Sequence, residues 1–167
     1  MTMENILHLQ EERILMILEK LKDKVVVFDF DGTLTEFHYD KTHLLPCKDD
    51  YVKVFALTNN LYANARCLET LKFIISHLDP KNIYILTRTD DSVVDSKNDI
   101  INREFPMFTP ENIFHVLTSD AKLEVLKKLH EERNENIIFV EDTFKTILDG
   151  EEKFPFVFGV HISSFLA

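Results

Sequence analysis

The sequence predicts an α/β fold: a three-layer, Rossmann-like sandwich around a mostly parallel central sheet. Two features carry that prediction. Short runs of branched and aromatic apolar residues lack apolar/polar alternation, as expected of strands covered on both faces, and stripes of apolar residues at helical spacing lie between them. Composition adds a third: 167 residues, 45% hydrophobic, with only three glycines and five prolines, suffice for one core and leave little for a flexible linker. The chain, 1–167, reads as a single domain joined by right-handed crossovers.

Taken in order, the elements are as follows. Between residues 5 and 24, Leu7, Ile14, Leu18 and Leu21 recur at helical spacings, with Glu11, Glu12, Lys20 and Lys22 on the other side. That polar face is mixed in sign, so residues 1–24 are expected to pack a helix onto the domain rather than onto a membrane. Val25, Val26, Val27 and Phe28 form the first strand, and similar runs occupy 83–86, 137–140 and 156–160, with a weaker one at 113–116. Leu68, Leu71, Ile74, Ile75 and Leu78 make a helix before the second of these strands. Val93, Val94, Ile100, Ile101 and Phe105 make another after it, stopped by Pro106. Leu123, Leu126 and Leu129 stripe a further helix ahead of Ile137. Residues 36–64, with His38, Tyr39, His43 and Pro46, fit neither period and are the candidate lid or flap.

The net charge of −10 excludes a generic cationic nucleic-acid or membrane-surface binder. Cys47 and Cys67 match neither a CxxC motif nor a disulfide framework and point to a reducing compartment. The first residues lack a cationic start followed by an apolar stretch, and no apolar run approaches the ~20 residues that span a bilayer. A cytoplasmic location is expected.

In an open parallel sheet, ligands bind outside the carboxyl ends of the strands. The first strand is followed by Asp29-Phe30-Asp31-Gly32-Thr33-Leu34-Thr35, the run 83–86 by Thr87-Arg88-Thr89, and 137–140 by Glu141-Asp142-Thr143. If the first strand continued regularly, Asp29 and Asp31 would project on one face, toward one point. Two adjacent carboxylates repel, and a hard cation held by oxygen ligands relieves that repulsion. Asp142 would add an oxygen from another strand. Mg²⁺ takes one or two carboxylates plus waters and substrate phosphate, so a phosphate site follows. Gly32 permits a tight turn, and Thr33 can donate from its backbone and hydroxyl. Arg88 stands either to meet an anionic part of a substrate or as an ordinary loop arginine. His38, His43 and Tyr39 either line the mouth of the site or are solvated, since no HxH or HExxH spacing supports zinc.

Asp29-Phe30-Asp31-Gly32-Thr33-Leu34-Thr35, following Val-Val-Val-Phe, resembles the first motif of the haloacid dehalogenase-like (HAD) phosphatase superfamily. The resemblance extends in order to Thr87 at a strand end, to Lys122 at a helix start 20 residues before Asp142, and to the strand-ending pair Glu141-Asp142. It covers nearly all of the chain from Val25 onward and implies the core fold of that superfamily. By resemblance, Asp29 is the nucleophile that forms an aspartyl-phosphate, and Asp31 is the general acid that then activates water. Thr87 holds a phosphoryl oxygen, Lys122 offsets charge on Asp29 and the phosphoryl group, and Asp142 is the preferred metal ligand beside Asp29 and Asp31. Where many relatives carry a further Asp four positions on, this chain has Thr146, which leaves Glu141 to make a second acidic contact through water. Either acid is alternatively an N-cap of the helix over 143–148. An Asp at position 31 is unlike the dehalogenases, and the absence of Lys-Thr-Gly-Thr after Asp29 is unlike the ion-pumping ATPases.

Cap domains of this superfamily are inserted after the first or second motif. Here Thr35 to Thr87 spans 52 positions and Thr87 to Lys122 only 35, both largely filled by the elements above, so a capless or minimally capped core is expected. The expected function is Mg²⁺-dependent phosphomonoester hydrolysis through an aspartyl-phosphate, on a phosphorylated small molecule or a phosphorylated macromolecule. Nucleic acid and membranes are disfavoured as partners. The alternatives are phosphotransfer to an acceptor other than water, and a non-catalytic phosphate-binding regulatory module.

Overall fold

The structure, a computed structural model, describes residues 3–37, 62 and 65–166. Five parallel strands form the central sheet in the order β5-β4-β1-β6-β7, where β1 is Val25–Phe28, β4 Ile83–Arg88, β5 Ile113–Val116, β6 Ile137–Glu141 and β7 Val157–His161. Every described pairing in this sheet is parallel, which makes it wholly parallel where the sequence led us to expect mostly so. Helices α1 (Met3–Leu21), α2 (Glu69–Ser76), α3 (Val94–Glu104), α4 (Ser119–Arg133), α5 (Phe144–Lys153) and α6 (Ser163–Leu166) complete the sandwich. Among the described residues, no helix is long and apolar enough to cross a membrane.

The first strand shows why its sequence is uninterrupted Val-Val-Val-Phe. Val26 and Phe28 pack with Leu21 of α1, Leu71, Ile74 and Ile75 of α2, and Ile100 and Ile101 of α3. Val25 and Val27 pack instead with Leu123, Leu126 and Leu129 of α4. Successive side chains enter opposite layers, and both layers are dry, so neither phase of the alternation tolerates a polar residue.

Helix α1 ends at Leu21, short of the expected 24, because Asp23 adopts a left-handed conformation (φ 58°) and turns the chain into β1. Helix α4 opens on Thr118, whose hydroxyl accepts from the Ala121 amide at 3.1 Å, and closes at Asn134 (φ 51°).

Neither the short α6 nor an antiparallel ribbon of β2 (Thr35–Phe37) and β3 (Ala65–Cys67) was expected from the sequence. Strands of three residues are too short to display a period. Of the candidate lid at 36–64, the structure describes Glu36, Phe37 and Tyr62. His38, Tyr39, His43 and Cys47 lie outside the described residues.

In sheet order, β1, β4 and β5 run outward one way, and β6 and β7 the other. The direction of strand addition therefore reverses beside β1, and its carboxyl end, between those of β4 and β6, is the crevice where such sheets bind ligands.

Candidate functional site

Asp29 leaves β1 still paired to β6, its amide donating to the Val140 carbonyl at 2.8 Å. It thus continues the phase of Val25 and Val27 and faces α4. From the first turn of α4, Lys122 donates to Asp29 Oδ1 at 2.6 Å and to Glu141 Oε2 at 2.7 Å. All three groups are buried. Burial pushes the Asp29 carboxyl up to about 7 even though Lys122 pulls it down, and Glu141 is raised for the same first reason. Burial alone would lower Lys122, but the charges and hydrogen bonds of Asp29 and Glu141 outweigh it and the ammonium is held above its usual range.

After Phe30 the chain turns. The Phe30 carbonyl accepts from the amides of Thr33, Leu34 and Thr35 and from the Thr35 hydroxyl at 2.9–3.3 Å, while the Gly32 amide donates to the Thr35 carbonyl. Gly32 sits at φ 78°, and a Cβ built there would overlap the Asp142 carboxylate. Glycine is thus required twice over, by backbone conformation and by the close approach of Asp142. The Thr33 hydroxyl lies 3.5 Å from Asp29 Oδ2, a long contact, and its amide is already engaged by Phe30 at 3.3 Å.

This turn separates two residues that a regular strand would have kept together. The Asp31 carboxylate faces α3, on the opposite side of the sheet from α4, where Oδ2 accepts from Lys97 Nζ at 2.7 Å and Oδ1 from the Tyr62 hydroxyl at 2.9 Å. Among the described residues, oxygen atoms of Asp29, Glu141 and Asp142 lie within 4.8 Å of one another. The carboxylate of Asp31, expected in that group, is not part of it, because the chain turns at Gly32 instead of continuing the strand.

The three grouped carboxylates are not equivalent. Glu141 is almost fully committed: Oε2 takes Lys122 and Oε1 accepts from the Asp142 and Thr143 amides at 3.2 and 3.1 Å. Asp142 is exposed, with Oδ1 receiving the Thr143 hydroxyl at 3.2 Å. Its carbonyl is bonded to His161 Nε2 at 2.9 Å, so β7 braces the loop that carries it. The donor set is all oxygen, anionic and partly open, which fits a hard divalent cation held chiefly by Asp29 and Asp142. The N-cap of α5 is Thr143, so neither acid is the cap residue.

Thr87, fully buried at the end of β4, accepts from Lys97 at 3.0 Å. A lysine ammonium only donates, so the Thr87 proton is left over, and among the described residues nothing accepts it. Arg88 follows with its side chain exposed and its carbonyl bonded to Lys97 at 3.0 Å. A groove of about 720 Å³ between α1 and the β6–β7 side of the sheet, lined by Met16, Leu21, Ile138 and Phe165 among others, contains none of these residues.

Three contributors escaped the reading of the sequence: Lys97, Tyr62 and His161. Lys97 was detectable in principle. It occupies the apolar stripe of α3, four residues after Val93 and three before Ile100, where a lysine must find buried acceptors. Tyr62 and His161 carry no such mark.

No protein-family model matches this chain, and no curated protein matches it by sequence.

Proposed function

We propose that the protein is a metal-dependent phosphomonoester hydrolase that works through an aspartyl-phosphate on Asp29. The observation that carries this reading is the pairing of a buried strand-end carboxylate with Lys122 at 2.6 Å, inside an all-oxygen group completed by Glu141 and Asp142. A carboxylate approaches an anionic phosphoryl group only where cations offset the charge, and this one has an ammonium beside it and acids suited to Mg²⁺ around it. The metal, held by Asp29 and Asp142, would neutralise phosphoryl oxygens and favour the ionised form of Asp29.

In the first step Asp29 forms a bond to phosphorus as the ester P–O bond breaks, and the departing oxygen keeps the electron pair and receives a proton from Asp31. In the second, water attacks phosphorus, Asp31 takes its proton, and the Asp29 carboxylate leaves with the bonding pair, releasing inorganic phosphate. Lys122 stays beside Asp29 throughout, and the spare proton of Thr87 donates to a phosphoryl oxygen. Asp31 is suited to its role because it lies two residues from the nucleophile yet outside the metal-ligating group.

The substrate is a phosphorylated small molecule or an exposed phosphorylated group on a macromolecule, and the unpaired cysteine spacing favours a cytoplasmic setting. The test is turnover of p-nitrophenyl phosphate with Mg²⁺, with EDTA, and by Asp29→Asn. Activity that needs the metal and is lost in the variant supports the reading. A metal-independent rate, or an Asp29→Asn protein as active as wild type, removes it.

A further inference from the structure

Lys97 is 1% exposed, as enclosed as Glu141, and its surroundings are specific. Its ammonium donates to Asp31 Oδ2 at 2.7 Å, Thr87 Oγ1 at 3.0 Å, the Arg88 carbonyl at 3.0 Å and Thr89 Oγ1 at 3.1 Å. The rings of Phe30 and Tyr62 lie 5.8 and 5.4 Å away. Three N–H bonds facing four acceptors leave no donor for a ligand, so whatever Lys97 does for the site it does through the groups it holds.

Two of those groups belong to the reaction proposed above, and they come from different strands. Asp31 follows β1 and Thr87 ends β4. Both strands are neighbours in the sheet, so the two residues lie at the carboxyl edge beside the end of β1, which Asp29 follows. Because Lys97 fills a lone pair on Thr87, the threonine proton cannot turn back toward α3, and it is available on the side away from the lysine. The same ammonium holds one oxygen of Asp31 while Tyr62 holds the other. The anchor is itself braced: the Thr89 hydroxyl bridges Lys97 to His115 Nδ1 at 2.9 Å, and His115 Nε2 reaches Asn98 Oδ1 at 2.8 Å. Since the Asn98 oxygen only accepts, Nε2 carries the ring proton and Nδ1 accepts from Thr89, a consistent chain from Asn98 to Asp31.

We propose that Lys97 is a positioning residue of the site, one ammonium that fixes the Asp31 carboxylate relative to the Thr87 hydroxyl so that proton carrier and phosphoryl-binding donor address the same group. This rests on the hydrolase reading. A misplacement of about 1 Å in such a constellation is enough to lower a rate by about a hundredfold, and the Lys97 ammonium, which ties the ends of two strands, opposes it.

The experiment is a double-variant cycle on p-nitrophenyl phosphate with Mg²⁺, since that leaving group needs little protonation and keeps Asp31→Asn measurable. Lys97→Met should lower kcat by about ten- to a hundredfold in the wild-type background, but by no more than about threefold in the Asp31→Asn background, because the carboxylate that Lys97 fixes relative to Thr87 is already gone. Lys97→Gln, which keeps an uncharged N–H donor on a shorter side chain, should fall between wild type and Lys97→Met, and it carries the comparison if the methionine protein does not fold. Equal fold losses in both backgrounds, or no loss, overturn the inference while leaving the hydrolase reading in place. A folded wild type without turnover overturns both.

Discussion

Lys122 Nζ lies 2.6 Å from Asp29 Oδ1, joining residues 93 positions apart in the chain at the end of the central strand. The same ammonium holds Glu141 at 2.7 Å, so one cation faces two buried carboxylates. Removing it leaves both without their charge partner, which differs from losing a surface lysine. Lys122→Ala should lower kcat by about a hundredfold or more, with one lost oxyanion donor as the yardstick. It should also destabilise the fold by about 3 kcal/mol or more, as breaking a buried pair does. Lys127 and Lys128, on the same helix, reach only Glu131 and Glu132 at 3.9 and 3.6 Å from exposed positions. Their alanine variants should keep full kcat and stay within about 0.5 kcal/mol of wild type. Similar kcat values for all three variants would remove Lys122 from the site.

Asp142 and Glu141 should separate into ligand and brace. Asp142 is exposed and Glu141 is tied to Lys122 and to two backbone amides. Asp142→Asn is expected to raise the Mg²⁺ concentration needed for half-maximal activity with little change in melting temperature. Glu141→Gln is expected to lower the melting temperature and to shift the metal requirement less. Mg²⁺ titrations and thermal melts of the two variants check this, and the reverse order would exchange the roles.

Gly32→Ala tests the close approach between the first loop and Asp142. Strain from a left-handed backbone is worth about 1 kcal/mol for alanine. The new methyl group must also displace the Asp142 carboxylate. We therefore expect a modest loss in denaturant midpoint together with a raised Mg²⁺ concentration for half-maximal activity, as for Asp142→Asn. A variant destabilised but normal in its metal response would show that Asp142 moves freely.

The fold was legible because its signals are repetitive. Five apolar strand runs and the helical stripes between them agree with β1, β4, β5, β6, β7 and the helices beside them, since each buried face imposes its period on many residues. Asp29, Thr87, Lys122, Glu141 and Asp142 were legible because each ends or follows an apolar strand run, or starts a helix, at the carboxyl edge. Asp31 was misplaced relative to Asp29 because spacing along a strand says nothing once the chain turns, and the turn depends on Gly32 and on the Phe30 carbonyl collecting the amides of 33–35. Lys97 and Tyr62 reach Asp31 from 66 and 31 positions away; the apolar stripe of α3 marks Lys97 as buried, but no local pattern encodes that either residue meets Asp31.

His115 gives a pH test that does not depend on metal. Both ring nitrogens are bonded in the neutral form, Nδ1 to Thr89 at 2.9 Å and Nε2 to Asn98 at 2.8 Å. Burial lowers its pKa from the usual value, and the nearby Lys97 charge lowers it further. The unfolded chain therefore binds a proton at His115 in a window below about 6.5 where the folded chain does not. In that window stability rises with pH, and it is lost as pH falls through it. Asp29 acts in the opposite sense: its raised pKa makes the folded state bind the extra proton between its ordinary value and about 7. The total pH profile mixes the two, so the difference between wild type and His115→Gln is the informative quantity. Urea midpoints at several pH values between 5 and 8, taken without metal, should show the wild type losing ground to the variant as the solution is acidified. A difference independent of pH would mean that His115 is not held neutral, and that the chain of hydrogen bonds from Asn98 to Lys97 does not exist as drawn.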